Sequence, residues 1–134
     1  MEKTKKIAKK KAFDFKTIKS FEEACKRKNI DPTQLPIVVV PELAKQVIAA
    51  YKLMVIFLAI NDGWEADFNN WDQTKYYPWY RCLSSGFGFG ISFYYYSYAD
   101  AAVGSRLCTN TSEKALYIAE QFKSEYEDFI LIKK

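Results

Sequence analysis

Four carboxylates fall close together in this chain: Asp62, Glu65, Asp67 and Asp72. Paired carboxylates can hydrolyse glycosides or hold Mg²⁺ or Ca²⁺. The spacing fits no EF-hand loop, and acidic residues in a polar loop are ordinarily solvated. No other group completes a catalytic set. The 134 residues include no histidine, so histidine zinc sites, Ser-His-Asp triads and Cys-His pairs are unavailable within one chain. The three cysteines, Cys25, Cys82 and Cys108, lie far apart and form no Cys-x-x-Cys pair. They read as small buried hydrophobes of a reducing compartment. Gly86-Phe87-Gly88-Phe89-Gly90 is glycine-rich, but it is not G-x-G-x-x-G and no helix follows to aim its amides at a phosphate. The expectation is a protein with no enzymatic activity, no metal and no cofactor.

Recognition chemistry is better represented. Residues 64–98 hold all three tryptophans and seven of the ten tyrosines. Rings with polar tips suit half-wet contact surfaces. After the turn Ser84-Ser85-Gly86 the residues alternate. Phe87, Phe89, Ile91, Phe93 and Tyr95 point one way, as a core face. Gly88, Gly90, Ser92, Tyr94, Tyr96 and Tyr98 point the other. Arg81 and Arg106 are expected on strands; if these are neighbours, the guanidiniums share the face of the tyrosine row. Guanidinium beside aromatic rings is a recurrent platform for protein partners and for bases. The candidate binding residues are therefore Tyr94, Tyr96, Tyr98, Arg81, Arg106, Trp79 and Trp71. The tryptophans beside Asn and Asp also suit sugar stacking. A simpler reading has the loop 64–78 folding back over the sheet edge, which leaves the tyrosine face either open or roofed.

Charge narrows the partner. The net charge is +4, but residues 1–16 carry seven lysines against Glu2 and Asp14. The remaining 118 residues therefore sum to about −1, and the basicity belongs to an arm. Residues 1–16 read as a basic, flexible arm, and 17–134 as one globular domain. A fold that grips nucleic acid usually carries basic residues on its folded face. Here only Lys3, Lys5, Lys6, Lys9, Lys10 and Lys11 could contact phosphates. No h-region follows the basic start, and the apolar run 53–60 is too short to span a bilayer. The expected location is the cytoplasm of a bacterial host or a virion, without secretion and without a membrane. The sequon Asn110-Thr111-Ser112 reads as a helix start.

These residues need elements to position them. Ser20-Phe21-Glu22-Glu23 has the form of a capping box, opening a short helix to about residue 28 with Phe21, Ala24 and Cys25 inward. Asn29-Ile30-Asp31-Pro32 ends it. Pro36-Ile37-Val38-Val39-Val40-Pro41 is β-branched, but proline at both ends argues against a central strand. A helix of about 42–61 follows, with Pro41 in its first turn and Gly63 as a left-handed stop. Leu43, Val47, Tyr51, Met54 and Leu58 recur at helical spacing, and Val55, Ile56, Phe57 and Ile60 widen the stripe. That helix should be the buried spine. Strands are expected at about 79–83, along the alternating run, and at about 105–109. Thr111 or Ser112 caps a last helix with Ala115, Ile118, Ala119, Phe122, Tyr126, Phe129 and Ile130 on one stripe. The sum is an α+β fold of two layers, a three-stranded antiparallel meander packed against about three helices.

The strings Lys75-Tyr76-Tyr77-Pro78-Trp79-Tyr80 and Val103-Gly104-Ser105-Arg106-Leu107-Cys108, with the glycine–phenylalanine strand and Ile18-Lys19-Ser20-Phe21-Glu22-Glu23-Ala24-Cys25, carry a resemblance. Over residues 17–132 the chain resembles a group of small uncharacterised proteins of gut Bacteroidetes and their crAss-like phages. The resemblance implies a setting of phage or mobile elements. It transfers no catalytic or binding residue. The functional expectation is a phage-type accessory protein acting by protein–protein contact, as a virion-associated component or a modulator of a host factor. The alternative is single-stranded nucleic-acid binding, with bases stacked on the sheet tyrosines and phosphates on the lysine arm. A phage or host protein is the expected partner.

Overall fold

The computed structural model describes residues 12–83, 86–88, 93–95 and 104–132, with the backbone alone at 81–83, 86–88 and 93–95. Its regular structure is mostly helical. Helix α1 (Phe21–Lys28) opens where the Ser20 hydroxyl accepts the Glu23 amide at 3.1 Å. It closes at Asn29, whose φ of 58° is left-handed. There the Ile30 amide reaches back to the Cys25 carbonyl at 2.8 Å and the Asn29 amide to Lys26 at 3.3 Å. This pair of bonds is a Schellman motif. The stop therefore comes from Asn29, and Pro32 lies beyond it. Phe21, Ala24 and Cys25 are buried, as their spacing predicts.

Helix α2 (Pro41–Asn61) begins at Pro41 and ends through left-handed Asp62 and Gly63. It is the spine only in its second half. Leu53, Val55, Ile56, Phe57, Ala59 and Ile60 are buried. The predicted stripe is displaced: Leu43, Val47 and Met54 stay exposed. Helices α1 and α4 (Lys123–Ile130) cover other faces of α2. With an apolar residue at almost every position of its second half, spacing alone cannot say which stripe is covered.

The last helix is broken. Helix α3 (Ser112–Gln121), capped by the Thr111 hydroxyl on the Lys114 amide, stops at Phe122. Phe122 leaves helical geometry with ψ 32° while its ring stays buried. The break lets α3 pack towards β1 and α4 against α2. The inward residues Ala115, Ile118, Ala119, Phe122 and Tyr126 are buried as predicted, whereas Ile130 is exposed.

Among the described residues no three-stranded meander is formed, and the expected fold class is corrected to a predominantly helical one. Each strand has three residues: β1 (Lys75–Tyr77), β2 (Arg81–Leu83), β3 (Gly86–Gly88) and β4 (Phe93–Tyr95). They pair as two separate ladders, β1 with β4 and β2 with β3, both antiparallel. Lys75 faces Tyr95 and Tyr77 faces Phe93; Arg81 faces Gly88. Three residues separate the ladders on the outgoing arm and four on the return. The two faces expected along 87–98 rest on side chains that lie outside the described residues. The expected strand 105–109 is instead a 3-10 turn at Ser105–Leu107 followed by one bridge, Thr109 to Tyr76, with amide–carbonyl distances of 2.8 and 2.9 Å.

The segment ahead of α1 is fastened to α3. The Tyr117 hydroxyl lies 2.8 Å from the Ile18 carbonyl and 3.1 Å from that of Lys16, and the Gln121 side-chain amide donates to Lys19. Phe15 meets Tyr117 edge-on, and Phe13 lies beneath the Arg27 guanidinium at 3.5 Å.

Candidate functional site

Residues 64–74 form a polar loop held by its own side chains. The Gln73 amide oxygen accepts the Asp67 amide at 2.6 Å, and its nitrogen donates to the Glu65 carbonyl at 2.9 Å. Asp67 and Asn70 each accept the amide two residues on, as Asn and Asp do in tight turns. Beneath the loop lies Lys75, 1% exposed. Its ammonium donates to the carbonyls of Gln73 at 3.0 Å and Asn70 at 3.4 Å and lies 5.2 Å from the Phe68 ring centre. A buried charge needs such partners, and three backbone or ring contacts supply them here.

The carboxylate cluster is dispersed by these contacts. Asp62 binds Arg27 at 2.8 Å, Glu65 faces Arg106 at 3.6 Å, and Asp67 serves its turn. Among the described residues, no three His, Cys, Asp or Glu side chains converge to hold a metal. A cleft of about 440 Å³ opens between the end of α2, this loop and the 3-10 turn, lined by Asn61, Trp64, Glu65, Asp67, Ser105 and Arg106. The Arg106–Glu65 pair and the Asp67 turn already engage its charges. Asn61 donates to the Cys108 carbonyl at 2.8 Å.

Of the predicted binding residues, the structure describes the side chains of Arg106, Trp79 and Trp71. Arg106 sits on the 3-10 turn, and the bridge beside it joins β1 rather than β2. No strand therefore places it next to Arg81, which opens β2. Tyr94 stands opposite Tyr76 in the β1–β4 ladder. Tyr96 and Tyr98 lie outside the described residues, as do Lys3, Lys5, Lys6, Lys9, Lys10 and Lys11. Trp79, between β1 and β2, is half-buried, while Trp71 on the loop is 68% exposed. Tyr80 and Tyr126 serve the core: their rings lie 5.2 Å apart and the Tyr80 hydroxyl donates to the Ala119 carbonyl. Burial raises both phenols above their ordinary range, with Glu125 adding to the effect on Tyr80 and Tyr80 to that on Tyr126. The thiols are likewise placed for packing. Burial pushes Cys108 up to about 11 against the opposing pull of Lys75, and burial also raises Cys25. A raised thiol is a poor nucleophile.

What the sequence reading missed is an apolar tract. Ile37 is 96% exposed and Val39 90%, and Leu35, Val40, Leu43, Val47 and Met54 are exposed beside them in sequence. Exposure alternates along 35–39, with Pro36 and Val38 half-buried, which is the period of an extended strand. Among the described residues, none of 36–39 has a hydrogen bond. The tract continues along α2, where Leu43, Val47 and Met54 fall on one stripe. The signal was present in Pro36 and Pro41, which frame a β-branched run that cannot be a central strand.

No protein-family model matches the chain, and neither a curated protein nor a solved structure matches it.

Proposed function

We propose that the protein is a non-enzymatic, phage-type accessory protein that acts by contact with another protein, as a virion-associated component or a modulator of a host factor. The observation that carries the contact is the exposed apolar tract from Leu35 to Met54, headed by Ile37 and Val39. Single exposed hydrophobes are normal on a soluble surface; a tract of seven on one segment and one helix stripe is not. The phage setting is supported only by the resemblance of the 75–80 and 103–108 strings. The contact is read from this tract, since the side chains of Tyr94, Tyr96 and Tyr98 lie outside the described residues.

A photo-reactive residue placed at Ile37 in producing cells tests the reading. A covalent adduct to protein is expected there and none from the exposed Glu120 on α3. Equal labelling at both positions, or none at either, refutes it.

A further inference from the structure

We infer that the partner of the 35–54 tract is a second copy of this chain, joined by antiparallel pairing of the Ile37–Val39 segments about a two-fold axis. The inference deepens the contact function proposed above and rests on it. Three observations favour self-pairing. The first is the free ladder: the carbonyls of 36–39 and the amides of 37–39 have no hydrogen bond among the described residues. Exposed strand groups of this kind are a template for another strand.

The second is where the prolines fall. In an antiparallel pair, hydrogen-bonded and non-bonded positions alternate. Placing Val38 opposite its own copy at a non-bonded position makes Ile37 and Val39′ exchange both bonds, as do Val39 and Ile37′. That gives about four hydrogen bonds. Pro36 then sits opposite Val40′ at a non-bonded position, where its missing N–H costs nothing. The next bonded position falls on Pro41, which has no N–H, so the ladder stops. The segment is thus compatible with its own copy and bounded at both ends. The two-fold arrangement uses the same edge of both copies.

The third is area. Ile37 and Val39 are almost wholly in water and Leu35, Val40, Leu43, Val47 and Met54 are 37–49% exposed, apolar surface that can go towards the roughly 800 Å² per partner of a standard interface. Residues 35–54 carry only Glu42, Lys45 and Lys52, a net of one positive charge, so little like charge opposes two copies meeting. The α2 stripe Leu43, Val47 and Met54 supplies apolar surface beyond the short ladder.

Sedimentation equilibrium of the full chain, from low micromolar to near millimolar, tests this directly. The expected mass is twice 15.6 kDa at the upper end. The double variant Ile37→Lys/Val39→Lys should remain a monomer with an unchanged circular dichroism spectrum, since both side chains face solvent. Ile37→Glu/Val39→Glu should do the same. Mixing the two variants should restore the doubled mass, because position 37 faces 39′ in this register. A wild-type chain that stays monomeric throughout overturns the inference. So does a monomer that instead floats with phosphatidylcholine–phosphatidylglycerol vesicles, or a dimer indifferent to both variants. A monomer whose position 37 still cross-links to a different protein refutes self-pairing and leaves the contact function standing. A monomer with no adduct refutes both.

Discussion

Lys75 governs the polar loop at the residue scale. Its ammonium replaces water with the carbonyls of Asn70 and Gln73 and the Phe68 ring. Hydrogen bonds to a charged group are stronger than neutral ones, so Lys75→Met should destabilise the fold by about 1–3 kcal/mol. Amides 66–73 should also exchange faster, and an unchanged melting temperature would contradict the role. Thr109 makes the opposite case. Its hydroxyl is fully buried and has no hydrogen-bond partner among the described residues, so Thr109→Val should stabilise by about 1 kcal/mol in a urea titration. The buried thiol of Cys108 sets an alkaline limit. Its folded pKa of about 11 lies above the ordinary 9.0, so the unfolded chain sheds that proton first. Below pH 9 both states hold it and stability is unaffected; between pH 9 and about 11 the native state binds more protons and stability falls with pH. Cys108→Ala should make that fall shallower, leaving the smaller share of Cys25 from pH 9 and that of the buried tyrosines from near pH 10, seen as a gentler alkaline loss of stability. None of these contacts was legible in the sequence. Lysine is rarely buried, so Lys75 gave no reason to look beneath the loop. The loop carboxylates divide among separate contacts, Asp62 and Glu65 with arginines and Asp67 within its own turn.

Elements were legible where a local rule decides. Ser20 and Glu23 marked the start of α1, Pro41 the first turn of α2, and Thr111 the start of α3. Asn29 shows the limit: its left-handed stop needs only its own φ, yet the nearby Pro32 is the louder signal. Asn29→Ala should cost about 1 kcal/mol through the left-handed penalty, while Asn29→Gly should be neutral or better. Equal melting temperatures for the two variants would place the helix stop elsewhere. The break at Phe122 carries no glycine or proline and arises from packing α3 and α4 in different directions, which no local pattern records. The strands failed for the same reason. The β1–β4 ladder joins Lys75 to Tyr95 across a long stretch of chain, which no local pattern records, whereas β2 and β3 pair locally across Ser84-Ser85.

At the scale of the molecule, the helical body is asymmetric. The second half of α2 is enclosed, and its first half, with the segment before it, offers apolar surface to the outside. Composition alone described α2 as apolar nearly all round but could not say which part finds a neighbour within the chain. An apolar contact also differs from phosphate binding by the lysine arm in its response to salt. Association through 35–54 should hold or tighten as salt rises, whereas binding through lysine–phosphate contacts weakens steeply. The central claim, that this tract is a pairing surface, is tested most directly by amide hydrogen exchange of residues 37 and 39 in dilute and in concentrated full-length protein. The amides should exchange at open-chain rates when dilute and become protected when concentrated, while those of α1 stay constant. Open-chain exchange at both concentrations would contradict the account.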